Sequence, residues 1–285
     1  MRRLPSGSGS LPDTQLRGPT SDGSVLNGPV PFRARGFAPR SMPLAAVATL
    51  VALVALWQWG ASAGAISTTF LPPPVAIGRA LHQLAVSGEL WKHLGASLQR
   101  LGVGWLSGTA AGIVLGFAIG VSSWVRSPGM AVVSALFPIP KIALVPLFII
   151  WFGIGEGSKV ATLAFGVFFP TVINTAAGVD AVSRSLVRMG QAFGLPGHAI
   201  LLKIVLPGAL PAILSGFRVT SSIAIILLVA AEMIGAERGI GAFVLQAGNL
   251  YDVDNLLAGI VVLSLLGLTV AWLLGLLERA LLSWR

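Results

Sequence analysis

Residues 94–121 read LGASLQRLGVGWLSGTAAGIVLGFAIGV and contain a single charged side chain, Arg100. The run exceeds the roughly 20 helical residues that cross the hydrocarbon core of a bilayer. Glycine recurs at every fourth position, at Gly104, Gly108, Gly112, Gly116 and Gly120. At about 100° per residue these glycines form one stripe along a helix, so a second helix can approach it backbone to backbone. The stretch therefore predicts a membrane helix packed tightly inside a bundle.

The composition of the whole chain indicates that lipid surrounds much of it. Of its 285 residues, 55% are hydrophobic and 10% are charged, whereas a soluble domain carries about 25% charge. The net charge is +9, but the basic residues lie mostly outside the apolar runs, which favours membrane orientation over nucleic-acid binding. The absence of cysteine excludes disulfides and thiolate metal sites. Three isolated histidines lack metal-ligand spacing, so no metal site or cofactor is predicted.

Five further apolar runs flank residues 94–121, and each is long enough for a span. They lie at residues 42–59, 130–152, 159–178, 209–233 and 256–278. We therefore predict an all-α, polytopic membrane protein with about six spans, formed by one domain over residues 42–285. The run at 130–152 contains Pro138, Pro140 and Pro146, which remove backbone donors, so this span is expected to be kinked or to start late.

Basic residues predict the orientation of these spans. With the N-terminus in the cytoplasm, twelve basic residues fall on the cytoplasmic side and four on the outer side. The cytoplasmic set is Arg2, Arg3, Arg17, Arg33, Arg35, Arg40, Arg126, Arg184, Arg188, Lys203, Arg279 and Arg285; the outer set is Arg79, Lys92, Lys159 and Arg238. This bias follows the positive-inside rule, so both termini are predicted to be cytoplasmic. Residues 1–41, rich in Gly, Ser, Pro and Arg, are predicted to be a disordered tail.

Residues 178–208 form a cytoplasmic connection of about thirty residues, whereas about 2–8 residues usually join two helices. The first part can form an amphipathic helix that Gly194 ends and Pro196 follows. Its apolar side holds Leu186, Met189, Gly190 and Phe193. Such a helix can lie on the membrane or dock into a groove of a partner, and the residues alone favour neither.

Polar side chains within the apolar runs are candidates for a substrate path, because each is costly in lipid. The candidates are Lys141, Asn174, Arg218 and Glu232. We expect Lys141 to line a water-filled cavity or to pair with a carboxylate. Glu232 lies near the outer face, where it would act as a gate or as the partner of a cation. Arg100 and Arg218 lie near span ends and are expected to snorkel to the interface.

The connection at 178–208 resembles the cytoplasmic signature of permease subunits of bacterial ABC importers. In that family the signature is Glu-Ala-Ala, three residues, Gly, nine residues and Ile-x-Leu-Pro; here Gly194, Ile204 and Leu206-Pro207 have this spacing. Arg188 stands where the family has the acidic residue. The family loop forms a coupling helix that sits in a cleft of the ATPase subunit. The ATPase-coupling residues implied by the resemblance are Arg188, Met189, Gly190, Gln191, Ala192, Phe193, Gly194, Leu195 and Pro196.

Other motifs are similar to the sulfonate, taurine and nitrate branch of that family. They include FLPPP at 70–74, SLQR at 97–100, PIPK at 138–141, WFGIGE at 151–156, LPGALP at 206–211, AEM at 231–233 and GIG at 239–241. The resemblance implies a type I importer permease in the bacterial inner membrane. The implied partners are cytosolic ABC ATPase subunits, a second copy of the permease and an external substrate-binding protein.

Two other classes of function are weighed against this interpretation. An intramembrane enzyme needs polar catalytic residues at one depth, and no such set is evident. The chain also has no Gly-x-x-x-x-Gly-Lys-Ser/Thr motif, so ATP hydrolysis is expected in a separate subunit. A stand-alone secondary transporter or channel would not need a long cytoplasmic loop with a docking helix. The sequence therefore predicts a non-catalytic permease subunit of an ATP-driven importer.

The predicted topology can be tested by cysteine labelling, because the native chain has no cysteine. In intact cells, a membrane-impermeant maleimide should label Gly157→Cys, which lies before the fourth span. The same reagent should label Arg188→Cys only after the membrane is opened. Labelling of Gly157→Cys from the inside alone would show that the orientation is wrong.

Overall fold

The computed structural model describes residues 43–283, and the regular secondary structure in this range consists of helices joined by turns. The helices are α1 (Pro43–Ser62), α2 (Pro74–Ser87), α3 (Glu89–Val121), α4 (Ser123–Leu136), α5 (Val145–Phe152), α6 (Glu156–Asp180), α7 (Arg184–Ala192), α8 (Gly197–Ile200), α9 (Leu206–Gly235), α10 (Ile240–Asn249) and α11 (Val253–Leu281). The predicted all-α class is confirmed. The tail predicted at 1–41 lies outside the described residues.

Contacts divide the chain into two units, residues 1–53 and 54–285. The described part of the first unit is the start of α1, whose side chains from Leu44 to Leu53 are all exposed. Exposed apolar side chains on every face are typical of a helix surrounded by lipid. The second unit contains the rest of α1, the other helices and both candidate sites.

The glycines of α3 lie against α6 along its length. An added Cβ at Gly112 would come within 2.7 Å of Thr171 Cβ, and one at Gly116 within 2.6 Å of the Val172 carbonyl oxygen. Residue numbers increase in the same direction along both helices, from Gly104 opposite Leu163 to Gly120 opposite Val179. Helices α3 and α6 therefore run parallel. In lipid the stabilisation of such a pair comes from close packing, because apolar surface gains little by leaving hydrocarbon.

The parallel arrangement requires the chain between α3 and α6 to return across the bundle. Residues 122–155 make this return through α4, a 3₁₀ turn at Lys141–Leu144 and α5. The two halves are bent by 87° at the break, where Pro138 and Pro140 lie. Five helices are long and apolar enough to span a membrane, and the number rises to six if the bent pair is counted as one span. The break that the prolines predicted in the third span is therefore present.

Helix α9 packs against α6 in the opposite direction. Gly178 of α6 faces Ala209 near the start of α9, and Gly166 faces Leu227 near its end. The bundle thus has two distinct ends. We call the one that carries residues 180–206, between α6 and α9, the loop end. The other, where α3 and α6 begin and α9 ends, is the polar end.

The core of the bundle lies between α3, α6 and α9. Its buried side chains include Leu101, Leu163, Val167, Leu227 and Leu228. A smaller apolar cluster joins Ile77 and Ala80 of α2 to Ala258 of α11. Because α3, α6 and α9 all pack on this core, it fixes their positions relative to one another.

We expect Gly112→Leu to destabilise the fold, because the added side chain would overlap Thr171 and force α3 away from α6. Overpacking of this kind costs about 1–3 kcal/mol or more. Gly102→Leu is the matched control, since an added Cβ at Gly102 of the same helix meets nothing within 4 Å. The yield of folded protein in gel filtration and its thermal stability in detergent measure the effect. Equal behaviour of the two variants would show that the stripe is not a packing face.

Candidate functional site

Arg100 is the centre of a hydrogen-bonded network at the polar end. The residue is only 3% exposed. Its Nη1 donates to Glu232 Oε1 at 2.7 Å and to the Arg238 carbonyl oxygen at 2.5 Å. Its Nε and Nη2 donate to the two carboxylate oxygens of Glu156 at 2.5 and 2.6 Å. The guanidinium is therefore held between one carboxylate of α9 and one of α6.

Glu232 is buried, and its carboxylate is satisfied on every side. Besides Arg100 it accepts hydrogen bonds from Ser97 Oγ at 2.7 Å and from the Gly241 amide at 2.9 Å. Gly239 adopts a φ of +134°, and an added Cβ there would overlap the Glu232 carboxylate. Burying an ion is costly unless it is paired and hydrogen-bonded, and here both conditions are met. The turn after α9 thus wraps around a neutralised buried charge.

Glu156 differs from Glu232 in its environment. Its side chain is 60% exposed and borders an open cavity of about 740 Å³. The polar residues that line this cavity are Gln99, Arg100, Glu156, Lys159, Glu237 and Arg238. Lys159 is buried, and its Nζ donates to the carbonyl oxygens of Ile154 and Gly155 at 2.8 and 2.9 Å. These bonds fix the turn from which Glu156 begins α6.

The expectation that Arg100 snorkels is wrong. Two carboxylates lie within hydrogen-bonding distance inside the bundle, so its guanidinium is solvated by protein instead of reaching the interface. Arg218 is 61% exposed on α9 and pairs with Glu278 of α11 at 2.7 Å. The sequence could have suggested the Arg100 network, since SLQR, GIGE, AEM and GIG are four of the motifs already singled out, and all four meet at the polar end.

The four polar candidates predicted from the sequence occupy separate places. Glu232 belongs to the network just described, and Arg218 faces α11. Lys141 is half-buried over the rings of Phe137 and Phe169, with its Nζ 4.9 and 5.4 Å from their centroids. Asn174 of α6 is half-buried and faces Gly216 of α9. Within residues 43–283 no hydrogen bond or ion pair joins any two of the four.

At the loop end, α7 packs against the bundle through a buried glycine. Gly190 is buried, and an added Cβ there would come within 2.8 Å of Ile204 Cδ1. Gly194 ends the helix with a φ of +71°, and the amide of Leu195 donates back to the Gly190 carbonyl oxygen at 3.0 Å. This pair of features is a Schellman motif, which favours glycine because the backbone is left-handed.

The other faces of α7 and the turn after it remain open. Phe193 is 79% exposed, and Leu186 and Met189 are also exposed. Arg184, Arg188, Gln191, Ala192, Leu195 and Pro196 are exposed as well. Of the nine residues expected to contact an ATPase, only Gly190 is therefore turned inward. Helix α7 therefore exposes apolar and basic side chains, while its buried Gly190 packs against the rest of the bundle.

An ion pair links the neighbourhood of α7 to the broken span. Arg126 of α4 donates from Nη1 and Nη2 to the two carboxylate oxygens of Asp180, at 2.7 and 2.6 Å. Asp180 is the last residue of α6, four positions before α7 begins. The end of α6 that precedes α7 is thus bonded to α4.

No group of three or more His, Asp or Glu side chains in the described residues is arranged to hold a metal ion. The polar end has a buried Arg100–Glu232 pair, to which the exposed Glu156 is also bonded. These bonds join α3 to α6 and α9.

Comparisons with known proteins agree with this architecture. A family model described as the binding-protein-dependent transport system inner membrane component matches residues 108–283. A putative aliphatic sulfonates transport permease of Escherichia coli K12 is 38% identical over 82% of this chain and 89% of that protein. The taurine transport system permease of the same organism is 36% identical over 84% of this chain and 88% of its own length.

A solved structure shares the fold at low sequence identity. An inward-facing structure of the MetNI methionine ABC transporter aligns with 69% of this chain and 95% of its own, with a TM-score of 0.58 and 20% identity. The matched family model and the two permease relatives establish the family of this chain. The chain belongs to the binding-protein-dependent transport system inner membrane components, and it is therefore a multi-pass, non-catalytic permease subunit of an ABC importer.

Proposed function

We propose that the chain forms the translocation path for a small organic anion, a sulfonate or taurine-like solute delivered by an external binding protein. The support for this substrate class is the agreement among three relatives: permeases named for aliphatic sulfonates and for taurine are 36–38% identical to it over most of their length. Six crossings leave little room for a gated path within one chain, so we propose that two copies enclose it.

The loop end faces the cytoplasm in this proposal. Arg126, Arg184, Arg188 and Lys203 lie at or near the loop end, while Lys92, Arg100, Lys159 and Arg238 lie at the polar end. The support for this orientation is therefore the count over the whole sequence, twelve basic residues against four, which includes six arginines before the first span. The polar end then faces the side on which the binding protein delivers its solute.

Residues 180–200 are proposed to be the segment that contacts the ATPase subunit. The observation that carries this proposal is the exposed apolar surface of α7, above all Phe193, on a helix fixed to the bundle through Gly190. A loop that merely connected α6 to α9 would not need an ordered helix with an outward apolar side. Burial of Phe193 in a partner's cleft would contribute roughly 1.5–3 kcal/mol.

The same geometry supplies a route for the motion. Gly190 rests on Ile200 and Ile204, and the chain continues from there through a π-helical turn directly into α9. Asp180, bonded to Arg126, connects the other side of the loop to α4. Closure of the ATPase pair would therefore displace α9, and the exposed Arg126–Asp180 pair would let the broken span rearrange against it, which would open and close the path that the two copies enclose.

Phe193→Asp is expected to leave the permease folded in the membrane and to remove the ATPase from it. The side chain is 79% exposed, so the substitution does not disturb the chain's own core. In the complex it would place an unpaired charge in an apolar contact, which is costly. The measurements are co-purification of the ATPase and uptake of taurine in cells.

Gly194→Asp is expected to act in the same direction, and its control is Gly194→Asn. Asparagine tolerates the left-handed backbone at this position without adding a charge. Phe193→Leu is the control for Phe193→Asp and should retain the ATPase. Full uptake and undiminished ATPase binding by both aspartate variants would contradict the coupling role and favour a transporter that works alone.

A further inference from the structure

We propose that the outer edge of the Arg100 guanidinium is an oxyanion-binding site that Glu156 occupies in this structure and vacates for a sulfonate or sulfate. The edge consists of Nε and Nη2, which donate to the two oxygens of Glu156 at 2.5 and 2.6 Å. Planar, paired donation of this kind suits any group that presents two oxygens side by side, and sulfonate and sulfate both do.

The inner edge of Arg100 is anchored independently of Glu156. Nη1 is held by Glu232 and by the Arg238 carbonyl oxygen, and Glu232 is itself fixed by Ser97 and the Gly241 amide. Because Glu232 and Ser97 are buried, the guanidinium keeps its position when Glu156 moves away. A preformed, oriented donor pair loses little conformational freedom on binding, which favours affinity.

Glu156 is the exchangeable partner because it is the exposed one. Its side chain is 60% exposed, whereas that of Glu232 is fully buried. Released from Arg100, the Glu156 carboxylate can be hydrated at once, so its departure carries no burial penalty. Glu232, on the inner edge, is buried and cannot be exchanged in this way.

The site holds an anion through its oriented donors and not through net charge. The cavity is lined by the cations Arg100, Lys159 and Arg238 and by the carboxylates of Glu156 and Glu237. Arg100 keeps its bond to Glu232 when Glu156 moves, so the cavity gains no excess of positive charge, and the anion is bound by the paired Nε and Nη2 donors. The cavity, at about 740 Å³, is open and large enough to admit a small organic anion.

This inference rests on the proposed function for its physiological ligand, since an imported sulfonate would reach the polar end first. The binding chemistry has a second possible source, the phosphate of a lipid headgroup. Anion binding to the purified chain needs neither ATP nor an ATPase subunit. Its failure is therefore distinguishable from a failure of uptake or of coupling.

The test titrates sodium sulfate and sodium methanesulfonate into the full-length chain in nanodiscs of phosphatidylcholine, with sodium chloride holding the ionic strength constant. Calorimetry and the ligand-induced rise in Tm report binding. Glu156→Gln should bind sulfate about tenfold more tightly than the unmodified chain, because a competing charge-assisted pair is removed. Glu237→Gln is the matched control, since it removes the same charge from the same cavity without touching Arg100.

Equal tightening in Glu156→Gln and Glu237→Gln would overturn the proposal, because the effect would then be one of net charge alone. The double variant Arg100→Gln/Glu232→Gln removes the donor edge and keeps the buried pair neutral, so it should lose sulfate binding. Sulfate binding to that folded double variant at unchanged affinity would also overturn the proposal. Repetition in dodecyl maltoside micelles, which contain no phosphate, identifies the source: much tighter sulfate binding there than in phosphatidylcholine would show that a lipid phosphate occupies the site in the bilayer, and equal affinity would assign the site to a free anion.

Discussion

Helices α3 and α6 touch backbone to backbone, because five glycines leave no side chain between them. This contact is the constraint on which the rest of the bundle depends. It makes the two helices parallel, so the chain between them must cross back, and it does so as the broken span of α4 and α5. It also places the start of both helices at one end and the finish of both at the other. The two candidate sites lie at these opposite ends of one closely packed pair.

The ends differ in how their charges are arranged, and the difference fits their proposed tasks. At the polar end, Arg100 and Glu232 are buried and mutually neutralised, and Glu156 is the exposed member. Removal of one partner from a buried pair destabilises a protein by about 3–5 kcal/mol, because the other charge is left buried and unpaired, so separation of α3 from α9 at this point is costly. At the loop end, Arg126 and Asp180 are each about half exposed. An ion pair in that environment contributes little stability and can rearrange at little cost, as a moving joint requires.

Local patterns made much of this fold predictable. The glycine stripe indicated a packed face on α3, Pro138 and Pro140 indicated the break in the third span, and Gly194 indicated the end of α7. The partner of the stripe was not predictable, because periodicity identifies a face and not what covers it. Arg100 and Glu232 are 132 residues apart, and a position near a span end is equally typical of a snorkelling side chain. Their pairing became visible only when the antiparallel packing of α3 and α9 brought the motifs together.

The central claim is that α7 is the surface on which the ATPase subunit acts, with the polar end remote from it. Cysteine-directed photocrosslinking tests this most directly, since the chain has no native cysteine. A benzophenone probe at Phe193→Cys should crosslink to the co-expressed ATPase subunit, and the same probe at Glu237→Cys, beyond the far end of α9, should not. A crosslink to the ATPase from position 237 and none from position 193 would contradict the account.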